Sequence, residues 1–328
     1  MKNCSAANYS DSSGTRQSCR FIEKKKIKLL VALFRFCYNA RSYFNIQGEC
    51  ASMKFTKMQG AGNDYVYVNC FEETVSNPQQ TAIQVSNRNF GIGSDGLILI
   101  MPSDVADVRM RMFNSDGSES EMCGNGIRCV AKYAFDHGIV TRTEITAETG
   151  AGILTLQLFP GADGKIEKVR VNMGAPRLTR GEIPMTGDPA ATVCAEELTV
   201  LDTTFNITCA SMGNPHCVIF VDDVDTFPVT TYGPLIENHP LFPRRTNVEF
   251  IQIISRSEIR QRTWERGAGE TLACGTGSSA VTAACVLNGL TEKKLLNHLS
   301  GGDLEMEWAD DGCIYMTGPA VEVFNGEI

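Results

Sequence analysis

Four stretches of the chain gather apolar residues into short runs bounded by Gly and Asn: 65–68 (YVYV), 97–100 (LILI), 218–221 (VIFV) and 248–254 (VEFIQII). Their β-branched and aromatic content predicts strands. Two other stretches, about 124–137 and 275–288, are rich in Ala and Val and poor in charge. Each runs from a Cys-Gly-x-Gly start to a closing Gly, so each predicts a buried helix. The segment 159–165 (FPGADGK) reads as a hairpin turn, and 174–184 (GAPRLTRGEIP) as a loop.

The pattern repeats at one spacing. Cys123 and Cys274 are 151 residues apart, and so are the closing glycines Gly138 and Gly289. The same offset pairs Gly62/Asn63 with Gly213/Asn214, Phe113 with Trp264, and Glu119 with Glu270. It also pairs GLILI from Gly96 with NVEFIQII from Asn247. Several landmarks held in register without a gap point to an internal duplication. The fold class expected is α+β: two pseudo-symmetric lobes, each a mixed sheet wrapped around a central helix. The N-terminal lobe is expected over 53–168 and the C-terminal lobe over 169–318. Residues 319–328 are free to return to the first lobe.

Residues 1–52 differ in kind. They carry 9 Lys/Arg against 3 Asp/Glu, whereas the remainder carries 21 against 35, giving −8 overall. A basic stretch before an apolar one is the order of a secretory signal. Here the apolar run is short, Arg35 interrupts it, and no clean small-residue cleavage site follows. It is also too short to span a bilayer. Residues 1–52 are therefore read as an extension, disordered or a start-site artefact, with the functional domain beginning at Met53. The acidic balance excludes nucleic acid as an expected partner.

Nine of the 13 cysteines follow residue 52, an odd number without regular spacing. That is not a secreted disulfide framework, and it predicts reduced thiols in a cytoplasm. No Cys-x-x-Cys pair occurs, so no metal site is expected. Cys129, Cys217 and Cys285 fall within strand or helical runs and are expected in the core. Cys123 and Cys274 differ, because each stands where a helix starts. Unpaired N–H groups and the helix dipole there are expected to lower a thiol pKa, and the glycines allow close approach to a carboxylate. Pseudo-twofold symmetry would set the two thiols on opposite sides of one substrate. Two such groups suit inversion of an α-carbon, one removing the proton and the other returning it to the far face. Another racemase of the same fold, such as a proline racemase-like enzyme, also fits. So does a redox or binding protein in which Cys123 and Cys274 pair.

The stretches MKFTKMQGAGNDYVYV, NFGIGSDGLILI, FNSDGSESEMCGNGIRCVAKY, GNPHCVIFV, NVEFIQI and ERGAGETLACGTGSSA together resemble the diaminopimelate epimerase family. The resemblance covers 53–328 and none of 1–52. It implies a cofactor-independent isomerase, usually a homodimer, that interconverts LL- and meso-2,6-diaminopimelate in lysine and peptidoglycan biosynthesis. It implies catalytic roles for Cys123 and Cys274, with His216 and Glu265 supporting them. Asn63, Asn114, Asn214 and Asn247 match the family's substrate-binding asparagines, and Glu265 also falls within its substrate site. Arg266 matches the arginine that meets the distal carboxylate; a guanidinium fork suits that anion. Gly124, Asn125, Gly275 and Thr276 match its helix-start donors. Some relatives carry Gln where this chain has Gly96, a substrate-side position.

Overall fold

The computed structural model describes residues 52–328. The expectations placed on 1–52 lie outside the described residues, Ser52 apart. From Met53 the chain forms a hairpin, β1 (Lys54–Gly60) and β2 (Asn63–Asn69), then helix α1 (Pro78–Ser86). β3 (Gly96–Met101), β4 (Val108–Asn114) and the short β5 (Glu119–Ser120) lead into α2 (Gly124–Asp136). β6 (Glu144–Thr149), β7 (Gly152–Pro160) and β8 (Ile166–Asn172) complete the first plan. After β9 (Glu196–Val200) it repeats as β10 (Thr203–Ser211), β11 (Pro215–Phe220), α3 (Val229–Glu237), β12 (Asn247–Ser255), β13 (Glu258–Glu265) and β14 (Gly269–Thr271). Then come α4 (Gly275–Leu287), β15 (Lys294–Leu299), β16 (Gly302–Trp308), β17 (Ile314–Pro319) and β18 (Val321–Glu327). The 151-residue offset carries α1 onto α3 and α2 onto α4 residue for residue. It also carries strand registers: Tyr65 pairs Gly96 as His216 pairs Asn247, and Leu97 pairs Phe113 as Val248 pairs Trp264.

The expected α+β architecture is present, and the halves share one sheet. Strand pairing runs β18–β1–β2–β3–β4–β6–β7–β8, crosses to β17, and continues β16–β15–β13–β12–β11–β10–β9. The order is a palindrome about β8 and β17. The division expected at 168/169 runs through β8, which pairs with β7 on one side and β17 on the other. Residues 319–328 include β18, which pairs antiparallel with β1.

Each half-sheet curls around one helix and carries another outside. That is why the strand runs read as continuous rather than alternating: both faces are covered. Tyr65, Tyr67, Ile98 and Ile100 pack in the cluster around α2, whereas Val66, Val68, Leu97 and Leu99 pack with Ala82 and Val85 of α1. In the second half Val218 and Ile251 face inward, and Val248 and Phe250 pack with Val229 and Ile236 of α3. α2 is buried over Gly124–Ala134, and its stripe of Asn125, Arg128, Lys132 and Asp136 bonds to protein groups. Gly138 and Gly289 close the inner helices at φ 73° and 66°, the left-handed region that favours glycine. Cys129, Cys217 and Cys285 are fully buried.

The outer helices were not anticipated. α1 does have a start signal, Asn77 capping Gln80 with Pro78 next. α3 has no side-chain cap and contains Pro234, so it is held by tertiary packing. Among the described residues no helix is long and apolar enough to cross a membrane. Met53–Ile328 form one compact unit. A chain beginning at Met53 is expected to melt cooperatively within about 2 °C of the full-length protein, less than the shift a 1 kcal/mol loss gives in a domain of this size. Scanning calorimetry of both would show a larger drop if 1–52 contributed to the fold.

Candidate active site

Cys123 and Cys274 are the N-caps of α2 and α4. Both are extended (φ −136°, ψ 115°, and φ −126°, ψ 113°), and each sulfur accepts the N–H three residues on. Those bonds are 3.2 Å from Gly126 and 3.4 Å from Gly277. An oxygen of Ser, Thr, Asp or Asn usually fills this position. A neutral thiol is a weak acceptor there, whereas a thiolate would gain from the same donors.

The two helix starts meet. A Cβ built on Gly124 would lie 3.7 Å from the Cα of Gly275, and one built on Gly275 would lie 3.6 Å from the Cα of Gly124. The Met316 side chain fills the space beside both. The Asn125 amide donates to the carbonyl of Ala273, next to Cys274, at 3.3 Å, tying the lobes across the junction.

Around Cys123, the thiol bonds to Oδ1 of Asn63 at 3.3 Å. The Asn63 amide donates to Asp95 at 2.7 Å, so Asp95 sets its orientation. Around Cys274, the sulfur and Thr276 Oγ1 are 3.4 Å apart, and Asn214 Nδ2 donates to that hydroxyl at 3.2 Å. His216 is fully buried, with Nε2 3.1 Å from Asn214 Oδ1 and Nδ1 2.8 Å from Glu249. Glu265 accepts from Thr271 at 2.6 Å, and its charge acts on both thiols. Asn247 donates to the Pro215 carbonyl and accepts from the backbone N–H of Arg266 at 2.9 Å, fixing the start of the β13–β14 turn.

Two expected residues have side chains bonded to groups outside this cluster. The Arg266 guanidinium donates to the carbonyl of Arg244 at 3.0 Å, and the Asn114 amide to Ser118 at 3.0 Å. At Gly96 a Cβ would lie 2.1 Å from the Phe113 carbonyl oxygen and 2.7 Å from the Tyr65 ring. The packing around Gly96 thus leaves no space for any side chain. Asp95, Glu249 and Thr271 were missed by sequence reasoning. Asp95 was within the quoted GIGSDG stretch, and Thr271 within ERGAGET; neither carries a mark of its own.

One electrostatic expectation is overturned. The thiols were expected to have lowered pKa values, yet both are raised. Burial pushes Cys123 up, partly offset by the N–H groups of Gly126 and Asn125 and by the Arg128 guanidinium. Burial pushes Cys274 well above the ordinary thiol range, and the Glu265 and Glu249 carboxylates add to it. Loss of hydration outweighs the helix-start donors at both. Burial likewise raises Glu265, with Glu249 adding to it and the Thr271 hydrogen bond opposing. Among the described residues no three His, Cys, Asp or Glu side chains converge as a metal site would need.

A duplicated α+β scaffold that brings two helix-capping thiols to one junction defines a class of protein built for chemistry between its lobes. The family is more specific than that. A model described as "Diaminopimelate epimerase" matches residues 55–179 and 208–323, and this chain belongs to that family. It is 56% identical over 283 residues to the diaminopimelate epimerase of Agathobacter rectalis, covering 84% of this chain and 99% of that one. It is 53% identical over 277 residues to that of Methanococcus maripaludis, covering 84% and 99%. Among solved structures, a phenazine biosynthesis protein of the PhzF family from Bacillus anthracis shares the fold at TM-score 0.63 and 19% identity, over 84% of this chain and 99% of that one. A probable proline racemase from Agrobacterium radiobacter does so at 0.60 and 16%, over 84% and 92%.

The glycines beneath the two helix starts provide a test. A Cβ on Gly126 would meet the flexible end of Ile98 at 2.6 Å, whereas one on Gly277 would meet the Glu249 carboxylate, held by several hydrogen bonds, at 2.5 Å. Gly277→Ala should therefore destabilise more than Gly126→Ala, with an overpacking cost of about 1–3 kcal/mol. Urea unfolding of the two variants should give that order; the reverse would mean that the Glu249 site yields more easily than the Ile98 site.

Proposed function

We propose that this protein is a diaminopimelate epimerase that inverts one α-carbon of LL-2,6-diaminopimelate to give the meso isomer, using two thiols and no cofactor. The observation that carries the reading is the meeting of two cysteine-capped helix starts, the Cys123 thiol bonded to Asn63 and the Cys274 sulfur linked to Asn214 through the Thr276 hydroxyl. The relatives named above carry the choice of substrate.

In this mechanism one sulfur, as thiolate, takes the α-proton and becomes a thiol. The electron pair left on the α-carbon is stabilised by N–H donors that hold the adjacent carboxylate. The backbone groups at Gly124, Asn125, Gly275 and Thr276 begin the two helices and stand closest to such an anion. The other thiol delivers its proton to the opposite face and is left as thiolate. Asn63, Asn214, Asn247 and Glu265 would orient the reacting end. Arg266 and Asn114 would turn from their present partners toward the substrate on closure of the lobes, which also excludes water. His216 and Glu265 support the thiols. The product would serve lysine and peptidoglycan synthesis in a cytoplasm, where thiols stay reduced.

A homodimer is part of the reading. β18 pairs with β1 alone among the described strands, and Val321, Val323 and Phe324 on it are exposed. An apolar open edge suits a second copy. Phe324→Glu should shift a dimer toward monomer in sedimentation velocity; a wild-type monomer at micromolar concentration would remove this part.

Proton NMR of LL-diaminopimelate in D₂O, with reductant and no added cofactor, tests the activity. Loss of the α-proton signal with growth of the meso isomer is expected, and proline in parallel should keep its α-proton. Exchange in proline alone would keep the chemistry and change the substrate. Cys123→Ser and Cys274→Ser should each slow epimerisation by roughly 100- to 10,000-fold. Because burial pushes both thiols up, kcat/KM should rise with pH above neutrality as the first sulfur ionises. A profile flat from pH 6 to 9 would speak against a thiolate base.

A further inference from the structure

The lobes repeat their backbone but not their buried charge. Glu249 on β12 is fully buried, its Oε1 2.8 Å from His216 Nδ1. Its Oε2 accepts from Thr263 at 2.6 Å and Gln261 at 2.8 Å. The carboxylate lies directly under the first turn of α4, at the Cα of Gly277. From it a line of contacts runs through His216, Asn214 and Thr276 to the Cys274 sulfur. At the matching positions of the first lobe, Glu249 is Ile98, His216 is Tyr65, Gln261 is Met110 and Thr263 is Met112. Ile98 touches Gly126 as Glu249 touches Gly277, so the positions correspond in space as well as in sequence.

The opposite substitution stands behind Cys123. Arg128 of α2 is wholly buried, its Nη1 donating to the Gly124 carbonyl and its Nε to the Pro319 carbonyl, both at 3.2 Å. Its counterpart in α4 is Ser279. Glu265, which faces Cys274, has Asn114 as its counterpart. Glu249 and Arg128 both favour the proton on Cys274 over the proton on Cys123, whereas Glu265 raises both thiols.

We propose that these unmatched buried charges assign unequal proton roles to the thiols: in the free enzyme Cys123 is the first to ionise, Cys274 keeps its proton, and Glu249 is the positioning residue that maintains this difference. The proposal rests on the epimerase reading for its use, though not for its measurement. The groups facing Cys123 are Arg128 and Cys129 on α2, Tyr65 and Tyr67 on β2 and Glu265 on β13, with Asp95 reaching it through Asn63. Those facing Cys274 are Glu265 on β13, Glu249 on β12 and, through Asn214 and Thr276, His216 on β11. Burial raises both thiols, but beyond burial the Arg128 guanidinium favours the Cys123 thiolate, whereas the Glu265 and Glu249 carboxylates oppose that of Cys274. In turnover the α-proton moves to the Cys123 sulfur and the Cys274 proton moves to the far face of the same carbon. The enzyme is left with Cys274 as thiolate and Cys123 as thiol. The anion at Glu249 disfavours that state, so the free enzyme is poised for the enantiomer that presents its α-proton to Cys123.

Isotope-coded iodoacetamide, applied across pH to the substrate-free full-length protein and read by peptide mass mapping, gives a pH midpoint for each thiol. Each midpoint is scaled to its own plateau, which removes the difference in access. Cys123 should have the lower midpoint by about one pH unit or more, the size of shift a nearby charge gives. Glu249→Gln should lower the Cys274 midpoint by about one unit and leave Cys123 unchanged. Arg128→Met should raise Cys123 alone. Equal midpoints, the reverse order, or a Glu249→Gln variant that moves neither thiol would overturn the proposal. The wild-type order needs no variant, so a substitution that prevents folding does not shield it. Epimerisation measured on the same samples separates the two claims. Unequal midpoints without α-proton exchange defeat the epimerase reading alone, and equal midpoints with exchange defeat only the charge assignment.

Discussion

The contact between Gly124 and Gly275 is the constraint on which the rest of the structure depends. Two helix N-termini approach until a Cβ on either glycine would stand in van der Waals contact, 3.6–3.7 Å, with the other's Cα. Their dipoles bring two positive ends together, which is unfavourable unless an anion or a thiolate shares the space. Placing cysteines at both N-caps puts ionisable sulfur at that point. It also explains why the helices start on Cys-Gly-x-Gly rather than on an ordinary oxygen cap.

To hold two helices end to end, each must be anchored along its length. The continuous sheet supplies this, with β8 and β17 as the shared spine and the strand order reading the same outward from both. A helix enclosed by strands has no wet face, so α4 is apolar or small throughout, and the long polar side chains of α2, Arg128 and Lys132, bond to protein groups. The cost of this burial is borne at the thiols, which lose hydration and resist ionisation. The polar exceptions inside the wrap, Arg128 in one lobe and the His216–Glu249–Gln261–Thr263 group in the other, therefore act with little solvent screening. Duplication provided two equal cradles, and those few side chains made them unequal.

The fold by itself says little about chemistry, since phenazine biosynthesis and proline racemase proteins share it at under 20% identity. What separates this chain is the set of side chains around the junction. Asn63, Asn214 and Asn247 each bond to a group that fixes a neighbour: the thiol of Cys123, the hydroxyl of Thr276 and the backbone of Arg266.

The sequence by itself determined the duplication, the strand and helix types, and the two thiols as the centre of interest. These are carried by local spacing: alternation, capping and a constant 151-residue offset survive in one dimension. It did not reveal that the halves share a sheet, because the β8–β17 pairing joins Asn172 to Tyr315 across most of the second lobe. Nor did it mark α3, whose Pro234 contradicts its helical state until packing overrides it. Glu249 looked like one polar residue in a strand, and Asp95 and Thr271 like parts of turns. Only the tertiary structure set Glu249 beneath Gly277, Asp95 against Asn63 and Thr271 against Glu265. It also decided the sign of the thiol shifts. A helix start favours thiolate and burial opposes it, and the balance depends on how completely the surrounding strands exclude water.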